Sequence, residues 1–101
     1  MIDYMCDVTR RCGDRETERL ARGVLVRRWQ TFRQQAERRL RIVDAATSLD
    51  DLGALHSNRL EALKGNRKGQ YSIRINDQWR TCFEWPPDKP RPSNVEIVDY
   101  H

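Results

Sequence analysis

The stretch QYSIRINDQWRTCFEW, residues 70–85, decides the architecture of this 101-residue chain. Tyr71, Ile73 and Ile75 alternate with Ser72 and Arg74. After the polar pair Asp77–Gln78 the alternation resumes, with Trp79, Thr81, Phe83 and Trp85 on one face and Arg80, Cys82 and Glu84 on the other. A period of two, rich in β-branched and aromatic residues, predicts two half-buried strands joined by a turn. Upstream, NRLEALK (58–64) alternates as well, placing Leu60 and Ala62 on one face and Arg59, Glu61 and Leu63 on the other, and GNRKG (65–69) reads as a turn. Downstream, PPDKPRPS (86–93) cannot continue a central ladder, because proline has no N–H to donate. It reads as an extended loop before a last strand, Asn94 to Asp99.

The N-terminal half has a different period. Ile2, Tyr4, Cys6 and Val8 alternate with Met1, Asp3, Met5 and Asp7, which predicts a first strand. Asp14 to Arg22 can form a short helix, with Asp14 as N-cap and Gly23 at its C-terminal end. Trp29, Phe32, Ala36, Leu40, Val43 and Thr47 then recur at spacings of three and four, so one helical stripe faces a core. SLDDL (48–52) looks like a capped helical turn leading into a loop at Gly53. The order is strand, two helices, then three or four strands. This predicts a single α+β domain over residues 1–101, with a mainly antiparallel sheet and two helices packed on one face.

Composition narrows the function. Hydrophobic residues make up 38% and charged residues 34%, so the core is thin. No apolar run has membrane-spanning length, and MIDYMCDVTRR lacks the apolar region of a signal peptide. The cysteines Cys6, Cys12 and Cys82 are odd in number with no C-x-x-C pair, which argues against a disulfide framework or zinc site and suits a reducing cytoplasm. Between Arg10 and Arg41 eleven arginines face four acidic residues, although the whole chain carries a net charge of only +4. The guanidinium fork suits phosphate oxygens and base edges, so an anionic partner is one reading and an Arg-rich solvated helix face the other.

Strand phase sorts the sheet into two chemistries. With Ile73, Ile75, Trp79 or Phe83, and Ile97 turned to the helices, the opposite face offers Glu61, Arg74, Arg80 and Tyr100, with Lys64 and His101 at strand ends. Several cations, a carboxylate, a phenol and an imidazole suit a phosphodiester. Plain solvation of a polar sheet face is the simpler account on composition alone. Trp79 reads as core, Cys82 as an inert small residue beside Arg80, and His56, in the loop ALHSN, as an ordinary surface histidine.

NRLEALKGNRKGQYSIRINDQWRTCFEW (58–85), VEIVDYH (95–101) and, upstream, DAATSLDDL (44–52) together closely resemble the HigB branch of the RelE/ParE toxin superfamily. The resemblance covers about the last sixty residues, while residues 1–40 fit the family's strand–helix–helix plan with few diagnostic letters. It implies the toxin of a type II toxin–antitoxin pair: a cytoplasmic endoribonuclease that cuts mRNA on the translating ribosome and needs no metal or cofactor. In that chemistry a ribose 2′-OH attacks the adjacent phosphate, which requires a base, an acid for the leaving oxygen, and cations for the developing charge.

Carried over by position, the family's functional residues fall on Lys64 and Arg80 as phosphate-stabilising cations and on Asp99, Tyr100 and His101 at the end of the chain. His101 would transfer the proton, Asp99 would orient its imidazole, and Tyr100 would hold phosphate or stack on a base. Arg59, Arg67, Lys68 and Arg74 are the flanking candidates for RNA contact. Some members have histidine where this chain has Glu61, so Glu61 can be the general base with His101 as acid, or can orient Arg59 or Arg80 in an ion pair. The implied partners are a HigA-type helix-turn-helix antitoxin, the ribosome with its mRNA, and operator DNA reached only through the antitoxin. The competing functions are a ParE-like toxin that inhibits gyrase by binding, and a non-catalytic RNA-binding regulator.

Overall fold

A computed structural model describes residues 15–24, 26–89 and 91–99. The expected first strand, the N-cap at Asp14, Cys6, Cys12, Tyr100 and His101 lie outside the described residues. The described chain forms helix α1 (Arg15–Ala21), a 3-10 segment (Arg27–Phe32) running directly into helix α2 (Arg33–Ala45), and helix α3 (Leu49–Ala54). A 3-10 turn at His56–Asn58 then leads to β1 (Glu61–Ala62), another at Gly65–Arg67 to β2 (Gln70–Arg74), and β3 (Trp79–Glu84) and β4 (Ser93–Asp99) follow. The four strands form one antiparallel sheet in the order β1-β2-β3-β4. The α+β architecture expected from the change of period is therefore present, with α3 as a third short helix.

Local chemistry explains the element ends. α1 closes on Gly23, whose φ of +85° is a conformation open to glycine at little cost. Gly23 N–H donates to the Leu20 carbonyl and Val24 N–H to that of Arg19, both at 2.9 Å, the paired bonds of a Schellman cap. α3 starts at Ser48, whose hydroxyl accepts from the Asp51 amide at 3.2 Å. Asp51 reaches back to accept from the Thr47 amide and hydroxyl at 3.0 and 2.6 Å, a reciprocal cap on the first turn. Between β2 and β3, Asn76 Oδ1 accepts from the amides of Gln78 and Trp79 at 2.9 and 2.8 Å, bending the turn with its own side chain.

The core lies between the helices and one sheet face. Leu20 and Ala21 of α1, Trp29 and Phe32, Ala36, Leu40 and Val43 of α2, and Leu52 of α3 meet Ile73, Phe83, Val95 and Ile97. Trp79 packs against this cluster, edge-on to Trp29 with centroids 6.2 Å apart and stacked on Phe32 at 5.4 Å, which bears out its reading as core. The buried Thr17 hydroxyl of α1 accepts from the Ile97 amide of β4 at 3.0 Å and ties the first helix to the last strand.

Several sequence expectations are corrected. The stripe from Trp29 to Thr47 is not one α-helix: residues 27–32 are 3-10, and Thr47 lies beyond α2 in the cap of α3. Contacts three apart serve both helix types, so the spacing alone does not separate them. Gly53 belongs to α3, not to a loop. The strand expected over NRLEALK shrinks to two residues, because Arg59 takes a left-handed conformation (φ 47°) that interrupts extended backbone.

Candidate functional site

On the sheet face away from the core, the strand register lines up two rows. Glu61 pairs with Ser72, Ser72 with Cys82, and Cys82 with Glu96. In the neighbouring row Arg74 pairs with Arg80 and Arg80 with Val98. Like charges directly opposite one another destabilise a sheet, so the Arg74–Arg80 pair calls for compensation. Part of it comes from Asp77, which takes the guanidinium of Arg74.

Arg80 is held in place along its length. Its Nε donates to Ser72 Oγ at 2.7 Å, and its Nη2 donates to the Ser72 carbonyl at 3.3 Å and to the carbonyl of Arg59. The left-handed turn at Arg59 points that carbonyl at the arginine. The loop carrying Arg59 is fixed by fully buried Asn58, whose Nδ2 donates to the Leu52 carbonyl at 3.0 Å and whose Oδ1 accepts from Arg39 at 2.7 Å. Burial, with Arg38 and Arg74 nearby, holds the Arg39 guanidinium below its ordinary range. Arg39, Arg74 and Arg80 thus concentrate positive charge around one side of this loop.

A cleft of about 500 Å³ opens where the loop meets the sheet. It is lined by the charged side chains of Arg59, Glu61 and Arg80 and by Gly53, Leu55, His56 and Leu60. Three of the residues singled out in the sequence are therefore brought together. Lys64 and Lys68 are exposed on either side of the Gly65–Arg67 turn and do not line this cleft. Arg67 donates to Gln70 Oε1 at 2.9 Å and to Glu96 Oε1 at 3.3 Å, reaching past the Cys82 strand, and Arg74 stays with Asp77. Asp99 pairs with Trp79 rather than Arg80 and accepts from Gln78 Nε2 at 3.1 Å, so strand alternation puts it on the other side from Arg80.

His56 is exposed, as expected of a surface histidine, but it also lines the cleft. Sequence reasoning gave it no functional role, and gave none to Ser72, Asn58 and Arg39. Only the last two left a trace, a polar residue and a cation within otherwise unremarkable helix and loop text. Cys82 is fully buried on what the alternation marks as the polar face, and burial pushes its thiol up to about 11. Among the described residues, no three His, Cys, Asp or Glu side chains gather to hold a metal ion, and no helix is long and apolar enough to cross a membrane.

Comparison with known proteins places this geometry. Residues 27–101 match the model of the HigB-like toxins, described as RelE-like toxins of the type II toxin–antitoxin system HigB. The chain belongs to this family. Toxin HigB-1 of Vibrio cholerae serotype O1 is 50% identical over 48 residues, which is 48% of this chain and 50% of that protein. The chain thus spans about half the length of the relative it matches. The HigB-like match includes every residue of the cleft and the whole described sheet.

Proposed function

We propose that this HigB-like chain is a toxin that cuts mRNA on the ribosome, in the active form of a type II pair whose antitoxin is of the HigA helix-turn-helix type. The observation that carries the reading is the restrained Arg80 at the cleft, opposite Arg74 and next to Glu61. A guanidinium whose direction is already set by a hydroxyl and two carbonyls loses little freedom when it meets a phosphate, which suits stabilisation of charge that develops during reaction.

In the proposed reaction a ribose 2′-OH attacks the adjacent phosphorus, the 5′-oxygen leaves, and a cyclic phosphate and a free 5′-OH result. Arg80 stabilises the phosphoryl oxygens, with Lys64 and Arg59 as further cations. Glu61 and His101 divide the work of base and acid, and Tyr100 contacts the phosphate or a base. Asp99, held by Gln78, positions the end of the chain. The chemistry uses the cations in place of a metal ion.

The test is inducible expression of the wild type, Arg80→Ala and His101→Ala, with mRNA 5′ ends mapped across the transcriptome. New 5′-OH ends that depend on both residues are expected, and co-expression of the helix-turn-helix partner should suppress them. Growth arrest without new ends would instead favour the gyrase-binding alternative.

A further inference from the structure

The Arg80 cleft has a wall that phosphate binding does not use. We propose that it seats one nucleobase of the RNA against Leu55, Leu60 and the His56 imidazole, with the attached phosphate toward Arg59 and Arg80. This rests on the RNA-cutting reading of the same site and names what that reading leaves open, the part of the substrate that the non-cationic wall recognises.

The lining of the cleft combines two chemistries. A site for phosphate alone needs cations and N–H donors, whereas this one adds two leucines and an imidazole. Leu55 is 47% exposed, one of two large hydrophobic side chains that the described residues leave in solvent, and it lines a cleft that also holds Arg59, Glu61 and Arg80. Leu60 is half-buried against the core, so its exposed edge is a fixed surface. A single exposed leucine is unexceptional, but a leucine pair with an imidazole beside a restrained arginine matches the apolar face and charged end of one nucleotide. The volume of about 500 Å³ falls within the roughly 300–1,000 Å³ of small-ligand sites.

Two features keep the seat open and in shape. Gly53 lacks the side chain that would narrow it, since a Cβ there would lie 3.5 Å from Leu60 Cδ2. Asn58 binds the 3-10 turn of His56 to α3 and to Arg39, so the imidazole stands on a loop fixed before the ligand arrives. Ordering that is already complete need not be supplied by binding. Flat aromatic and aliphatic surfaces accept any base, and the imidazole nitrogens add hydrogen bonds that can favour some bases over others.

The test titrates the purified full chain, followed by NMR, with each ribonucleoside 5′-monophosphate, with ribose 5-phosphate and with inorganic phosphate. At least one nucleotide should bind about fivefold or more tightly than ribose 5-phosphate, as stacking of a base implies. His56→Ala and Leu55→Ser, both at exposed positions, should bring that ratio close to one while leaving affinity for ribose 5-phosphate unchanged. Equal binding of nucleotide and ribose 5-phosphate, or a ratio indifferent to both substitutions, overturns the seat. Neither readout requires cleavage. A chain that discriminates bases yet leaves mRNA intact upholds the seat and sinks the nuclease reading, and mapped ends without base discrimination do the reverse.

Discussion

Arg80 of β3 lies across its β2 neighbour, with Nε 2.7 Å from the buried hydroxyl of Ser72. Together with the bonds from Nη2 to the Ser72 and Arg59 carbonyls, this bond sets the direction of the guanidinium before any phosphate arrives. Ser72→Ala removes the acceptor without touching the charge. A hydrogen bond donated by a charged guanidinium contributes about 1.5 kcal/mol or more, so cleavage is expected to fall by roughly tenfold or more, with little loss of fold stability. Arg80→Lys keeps the charge but not the fork, and should lose more activity than Ser72→Ala. The rate of appearance of mapped 5′ ends after induction, read against chemical denaturation of each variant, checks both. Equal activity of Ser72→Ala and wild type would show that Ser72 does not position the arginine.

Asn58 is a second positioning residue. It is fully buried, and its amide spans the Leu52 carbonyl and the Arg39 guanidinium. Asn58→Ala leaves both without that partner, and the desolvation penalty of unsatisfied buried groups predicts a loss of about 1–3 kcal/mol. Urea denaturation measures it. Because the same loop carries Arg59 and His56, affinity for ribose 5-phosphate should also drop in the variant that remains folded.

The sheet was the most legible part of the sequence, because a period of two has few competing interpretations. Tyr71 to Arg74 and Trp79 to Glu84 are strands as expected, and the register puts Glu61, Arg74 and Arg80 on one face as the alternation required. The helix stripe was legible at Ala36, Leu40 and Val43 but not in type at Trp29 and Phe32, where a 3-10 turn presents the same spacing. What the sequence could not express is tertiary. The Ser72–Arg80 bond joins residues eight apart and the Arg39–Asn58 bond residues nineteen apart, and neither follows from periodicity. Leu63 and Cys82 fall on the polar face by phase yet are buried, since the Gly65–Arg67 turn sends Arg67 past β3 to Glu96.

The cap of α3 predicts an acid response. Hydrogen bonds from the Thr47 side chain and then its amide hold the Asp51 carboxyl below its ordinary range. A carboxyl depressed in the folded state stabilises it above the unfolded pKa of about 3.9. That contribution is lost as pH falls through the lower folded value. Asp51→Asn should therefore flatten the acid limb of a stability–pH curve between about pH 5 and pH 2, leaving its neutral shape unchanged. Ser48→Ala should cost about 1 kcal/mol at neutral pH and less in acid, because Ser48 also hydrogen-bonds the Asp51 carboxyl and helps to hold it low.

Gly53 offers a substitution whose effects on stability and on function point in opposite directions. It lies within α3 with its φ outside the left-handed region, and an added Cβ would make only an ordinary contact with Leu60. Gly53→Ala should stabilise the fold by about 0.5–1 kcal/mol through helix propensity and a less flexible unfolded chain. The same methyl enters the cleft, so nucleotide affinity should fall while thermal stability rises. A variant that gains stability and keeps full nucleotide affinity would place the base elsewhere.

Cys82 should be a poorly reactive thiol while the chain is folded. Burial is the main cause of its rise from an ordinary 9.0 to about 11, with Glu96 and Glu61 adding to it and Arg67 and Arg80 opposing. Two units reduce the thiolate about 100-fold at neutral pH, and alkylation follows the thiolate. In a Cys6→Ser, Cys12→Ser background, iodoacetamide should label Cys82 about 100-fold or more slowly in the folded protein than in urea. The sign for stability follows from the same shift: a thiol whose folded pKa is raised favours the folded state fully below pH 9, and that advantage is lost as pH rises from 9 through 11. Fast labelling at pH 7.5 under native conditions would show that the open sheet face admits solvent to Cys82, and with it that Arg67 does not cover the strand.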